Sequence, residues 1–281
     1  MQTVSYYSAD DIATAESLQF LAYTSASMAT FWTYDYACSL QEELTFLLRS
    51  RWTMVKSLYI ITRHVPFLLL LNDMYLYFTP NENPNKCQTV ISIYSCLSII
   101  SVACSEFIFV LRTYALWNNN RIILRVMLSA FFAVVVACVV LDLTTADASH
   151  VTISAIPGIQ GCYRSSAVQV SIMFILLLAF QLGLISLTII RAVQTWRVVN
   201  GPLYDILVKH NIFYYTCALL LTAVNVLTQM LFSQTAYRFV CEVLQFFILA
   251  ILATRMHLFL WQIDRQMHGS EALVHISMSD M

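Results

Sequence analysis

Three ionisable residues sit where a membrane-spanning chain can least accommodate them. Asp35, Arg63 and Glu106 each interrupt a long apolar run, and a central Arg costs on the order of 3 kcal/mol on insertion scales. Such groups should face protein rather than lipid and be paired. Arg63 is roughly 15 Å along its helix from the cytoplasmic end, Asp35 about one turn inside the first helix and Glu106 about two turns inside the third, at a rise of about 1.5 Å per residue. All three fall in the inner half of the membrane, so Arg63 is expected to pair with Asp35, Glu106 or both. An intramembrane ion network of this kind either fixes helix packing or acts as a switch or proton path.

A second polar set comprises Asn72 and Asp73 on the second helix, Gln181 on the fifth, Thr222, Asn225 and Gln229 on the sixth, and Glu242 and Gln245 on the seventh. The sixth-helix members are spaced by three and four and share one face. The set can line an outward-opening pocket, or it can hold helices together by hydrogen bonds. Ser92, Ser95, Ser98, Ser101 and Ser105 follow one side of the third helix, a row of small residues that lets neighbouring backbones approach and makes this helix central.

Catalytic patterns are missing. The six histidines, His64, His150, His210, His257, His268 and His275, lie on different segments without a metal-ligand pair, apart from the last two in the C-terminal tail. There is no nucleophile elbow and no phosphate loop. Among the eight cysteines no CxxC occurs, so neither zinc nor thiol-redox chemistry is indicated. No metal, cofactor or enzymatic activity is expected.

The elements that must position these residues follow from composition. Of 281 residues, 59% are hydrophobic and 11% charged, a mixture that defines an integral membrane protein. The net charge of -1 and the lack of a basic run exclude nucleic acid as a partner. Seven windows are long and apolar enough to span a bilayer: 17–39, 54–78, 88–113, 121–143, 166–191, 207–232 and 237–261. The expected fold is thus an all-α bundle of seven transmembrane helices. Residues 1–16 precede it as an extracellular N-terminus and 262–281 follow as a cytoplasmic tail. Asp10, Asp11 and Glu16, with no Lys or Arg nearby, are unlike the basic start of a cleaved signal peptide, so the first segment should remain a helix.

Orientation rests on basic residues. With the N-terminus outside, eleven Lys and Arg fall on inner connections and the tail, and three, Lys86, Arg164 and Arg238, fall outside. That bias places the C-terminus in the cytoplasm. Cys87 and Cys162 are then the two cysteines in polar outer connections, facing an oxidising compartment, and they are expected to form a disulfide over the 144–165 loop. The membrane is expected to be the plasma membrane or another membrane of the secretory pathway.

The stretch 31–77 carries Tyr34, Asp35, Tyr36, Glu43, Arg51, Trp52, Lys56, Arg63 and Pro66 in an order that resembles fungal membrane proteins with the domain of unknown function 6533. His64 stands where that pattern usually has Tyr. The resemblance extends weakly through Leu111 to Trp117, Val208 to Tyr215 and Ala253 to Leu260, and it implies a seven-helix membrane fold with no assigned activity. In those proteins the position of Gln181 is often Glu.

The topology also resembles receptors of the G-protein-coupled type. Leu111, Arg112, Thr113 and Tyr114 lack an acidic residue before the Arg, however, and the seventh helix has no Asn-Pro-x-x-Tyr. A retinal protein is excluded because no Lys lies in the seventh helix. The expectation is a receptor-like or sensor-like protein with an unknown ligand and a cytoplasmic coupling protein. The alternative is a small transporter or channel subunit, which should show internal repeats or broken helices; Pro66 is the only proline inside a helix and the two halves are dissimilar. A reporter fused after Met281 is expected to be active only on the cytoplasmic side, and activity only outside would reverse the orientation.

Overall fold

The structure is a computed structural model that describes residues 8–50, 52–79, 84–148, 151–153, 162–164, 168–196, 202–231 and 235–279. Long apolar runs with few helix breakers form seven helices: α1 (Ala9–Arg49), α2 (Met54–Phe78), α3 (Pro84–Leu116), α4 (Arg121–Ala148), α5 (Val168–Trp196), α6 (Pro202–Leu231) and α7 (Thr235–Ser279). In lipid the helix satisfies its own backbone groups, which is why apolar runs of this length fold so. A two-stranded antiparallel hairpin, β1 (Val151–Ile153) and β2 (Cys162–Arg164), joins α4 to α5, with Ile153 opposite Cys162. The bundle is all-α, as expected, and this short hairpin is an addition to it that packs on α3. Short strands of three residues carry too little periodicity to be read from sequence.

Six of the helices, α2 to α7, are long and apolar enough to cross a membrane. The chain is therefore a helical membrane protein in a lipid bilayer. The first helix is longer than its apolar window and more polar. Its hydroxyls are turned back onto its own carbonyls, Thr24 to Phe20 (2.9 Å), Ser27 to Tyr23 (2.9 Å) and Thr30 to Ala26 (3.0 Å). The seventh helix continues without interruption to Ser279, through the residues assigned to a tail.

Local signals fix the helix ends. Thr53 caps α2, its side chain accepting from the Lys56 backbone N–H at 3.3 Å. Between α3 and α4, Asn118 and Asn119 have φ of 53° and 59°, left-handed conformations that Asn tolerates better than most side chains. Asn120 then starts α4 by accepting from the Ile122 N–H at 2.9 Å. Three consecutive asparagines thus stop one helix and begin the next.

Helix α3 packs against α2, α4, α5 and α7, and α7 against α1, α2, α3 and α6. Ser98, Ser101 and Ser105 are buried in these contacts, so the serine row lies inside the bundle. At the hairpin end the core is Leu18, Leu76, Tyr77, Cys87 and Ile91. At mid-depth Trp32, Leu69, Tyr94 and Phe247 pack together. The opposite end holds Phe46, Tyr59 and Leu258. Helix α4 is mostly peripheral and presents Val126, Phe132, Val136 and Leu143 outward, as a lipid-facing helix should.

Candidate functional site

The α1–α2 pair is built around one buried guanidinium. Asp35, Ser39 and Glu43 are spaced by four on α1 and share a face. Arg63 of α2, 1% exposed, meets all three: Nη1 donates to Asp35 Oδ2 at 2.7 Å, and Nη2 lies 2.7 Å from Glu43 Oε1 and 2.5 Å from Ser39 Oγ. The Ser39 hydroxyl also lies 2.7 Å from Glu43 Oε1, positioned to donate to it. Trp32 and Tyr36 place their rings 5.0 and 5.3 Å from the Arg63 guanidinium carbon, adding cation–π attraction in a desolvated setting. From α7, Arg255 donates to the other oxygen of Asp35 at 2.8 Å. Two carboxylates and two guanidinium groups thus join α1, α2 and α7 with no net charge.

Glu106 is not part of this network, which corrects its expected pairing with Arg63. The reach of Arg63 is filled by Asp35, Ser39 and Glu43, whereas Glu106 is held from α5, with Gln181 Nε2 donating to Oε1 at 2.5 Å. Its second oxygen, Oε2, is buried without a hydrogen-bond partner. Glu43 and Arg255 were not among the partners expected for Arg63 and Asp35. The spacing of Asp35, Ser39 and Glu43 was the available signal.

The polar set divides. Asn225 donates to Gln245 Oε1 at 2.5 Å and to the Cys241 carbonyl at 3.0 Å, and Gln245 donates to Thr222 Oγ1 at 2.8 Å. These groups tie α6 to α7. Asn72, Asp73, Gln181, Asn225 and Gln245 are absent from the wall of the bundle's internal cavity; among the predicted pocket residues, Gln229 and Glu242 line it. Asp73 is 1% exposed, and neither of its carboxylate oxygens has a hydrogen-bond partner. The expected pocket is corrected accordingly, because several of its amides are consumed in bonds between helices.

The cavity measures about 320 Å³. It runs from Leu21, Tyr77 and Ile91 near the hairpin end to Glu106, Phe131 and Phe180 at mid-bundle. Most of its wall is apolar, but Glu106, Asp142, Glu242 and Arg238 all contribute to it. Toward the opposite end the core closes with Phe109, Met127, Leu184 and Met256. Beyond this plug Arg112 and His257 are in close contact and link α3 to α7, while Thr113 and Tyr215 link α3 to α6 at 3.0 Å. No group of three or more His, Cys, Asp or Glu suited to a metal occurs among the described residues.

A buried ion network that joins α1, α2 and α7 and a largely apolar cavity thus lie within a multi-pass helical membrane protein. Residues 23–68 match the family described as a family of unknown function (DUF6533). The matched segment covers most of α1, the turn and the first half of α2, so it contains the whole Asp35–Ser39–Glu43–Arg63 cluster. Lys56 lies there too, buried, donating to the Leu47 and Ser50 carbonyls at 2.7 and 3.0 Å and capping the end of α1. No curated protein matches the chain.

Removing Arg63 strands two carboxylates. Arg63→Met is expected to destabilise the protein by about 3–5 kcal/mol. The double variant Arg63→Met/Glu43→Gln should recover part of that loss. Unfolding titrations in mixed micelles measure both, and equal stability of Arg63→Met and the unmodified protein would show that the network contributes nothing.

Proposed function

We propose that this is a receptor-like or sensor-like membrane protein that takes a ligand into the cavity and signals across the bundle, without enzymatic activity of its own. The observation that carries this reading is the cavity itself, a largely apolar space between helices that is lined from Leu21, Tyr77 and Ile91 to Glu106, Phe131 and Phe180. A transporter or channel subunit, the alternative, needs a path to both sides or interrupted helices at the site. The cavity touches α3 and α7, the two helices joined again by the Arg112–His257 contact on the far side of the core. A ligand that shifts one helix against the other would therefore be felt at the cytoplasmic end.

In this reading α1 is the seventh span. The hydroxyls of Thr24, Ser27 and Thr30 bond the helix's own carbonyls, which makes these polar residues tolerable in hydrocarbon. The N-terminus is outside and the C-terminus cytoplasmic, in a plasma or secretory-pathway membrane, as the basic residues favour. Affinity capture from fungal membranes is expected to recover a G-protein α-subunit with the intact chain and to lose it when residues 197–201 are replaced by a Gly-Ser linker. Failure to recover such a subunit with the intact chain would overturn the receptor reading.

The outer end is held, on the same proposal, by a Cys87–Cys162 bridge. Supporting it are the disulfide-bonded state of Cys87, the free thiols of Cys38, Cys96, Cys104, Cys138, Cys217 and Cys241, and the packing of the hairpin that contains Cys162 on α3. The Cys162 side chain itself lies outside the described residues. A bridge closing this loop contributes roughly 3–5 kcal/mol by the chain-entropy estimate. Alkylation of the denatured, unreduced protein should label those six cysteines and leave Cys87 and Cys162 unlabelled until reductant is added; labelling of either before reduction would exclude the bridge.

A further inference from the structure

We propose that the cavity binds an amphipathic organic amine, with an aryl or alkyl body among the aromatic side chains and its ammonium group on the Glu106 carboxylate. This deepens the receptor-like reading, since it rests on the cavity being the ligand site. Its basis is the distribution of charge along an otherwise apolar wall.

Glu106 is 2% exposed, lines the cavity and has one oxygen, Oε1, taken by Gln181. The other oxygen has no partner. A buried carboxylate oxygen left without a donor is costly, and the residue that carries it lines the cavity. The donor that best answers it is a charged N–H, whose hydrogen bond to a carboxylate is about twice as strong as a neutral one.

The rest of the wall points the same way. Glu242 and Asp142 line the cavity alongside a single basic side chain, Arg238. Both Asp142 and Arg238 are already engaged in contacts of their own. Behind the wall, Asp73 lies within electrostatic reach of Glu242 and has neither oxygen hydrogen-bonded. Counting these groups, four acidic side chains face or back the cavity against one guanidinium, a set of oxygen acceptors that favours a guest carrying a charged N–H donor. An anionic guest would bring no charged donor to these oxygens.

The body of the guest is set by the other residues. Phe131, Phe174, Phe180, Phe239 and Phe246 surround the space, and aromatic faces attract cations as well as apolar groups. At about 320 Å³ the volume is at the small end of ligand pockets. It suits a compact arylalkylamine better than a phospholipid.

The test uses the full-length protein in nanodiscs of zwitterionic lipid, with 2-phenylethylamine as the probe and 2-phenylethanol and 3-phenylpropanoate as neutral and anionic controls. Saturable thermal stabilisation is expected with the amine and not with either control. Glu106→Gln keeps an oxygen for the Gln181 donor and should fold, yet weaken the amine by about ten-fold or more. Glu242→Gln, in the same wall, should weaken it by less. The inference is overturned if the alcohol binds as well as the amine, if sodium chloride alone reproduces the stabilisation, or if neither Gln substitution changes amine affinity. Amine binding without G-protein recovery would sustain this inference and remove the receptor reading. An uncharged guest combined with G-protein recovery would do the reverse.

Discussion

Burying Arg63 is the constraint from which the α1–α2 arrangement follows. A guanidinium cannot be deprotonated at any relevant pH, so the bundle must bring counter-charge to it. That requirement fixes the face of α1 that meets α2, because Asp35, Ser39 and Glu43 must all point inward. It also sets how far the two helices can slide, since a shift of one turn would exchange one acid for a hydroxyl or for nothing. The second oxygen of Asp35 extends the constraint to α7 through Arg255. Arg255 is 35% exposed on its side chain, so its pairing contributes less than that of the fully enclosed Arg63.

The two ends of the bundle use polarity differently. In the ion network the charged groups match in number, and both terminal nitrogens of Arg63 are paired while its buried Nε has no partner. Around the cavity the acids exceed the bases, and buried oxygens on Glu106 and Asp73 lack partners. Native proteins leave few such groups unsatisfied without a reason.

Much of the helix count was legible in the sequence because apolar length in a membrane is dictated by bilayer thickness. The Asp35–Arg63 contact was legible for a related reason: intramembrane charges have few places to go. Glu43 and Arg255 escaped because charges near helix ends are usually solvated or in the headgroup region, and nothing local marks the exceptions. The pocket set was only partly legible, since Asn225 and Gln245 have the same side-chain chemistry whether they bond each other or a ligand. The hairpin and the three-asparagine corner were not read at all. The former is too short to show a period, and the latter depends on left-handed backbone that Asn permits without requiring.

That corner bears on how the cavity can change shape. Asn118 and Asn119 turn the chain from α3 into α4 with hardly any slack, and Asn120 seats the first turn of α4 directly. The two helices are consequently joined by a short connection, and together they bring Glu106 from one and Phe131, Val135 and Asp142 from the other to the cavity. The rest of the wall comes from α1, α2, α5, α6 and α7, so five helices face a corner whose two members are tied together by three asparagines.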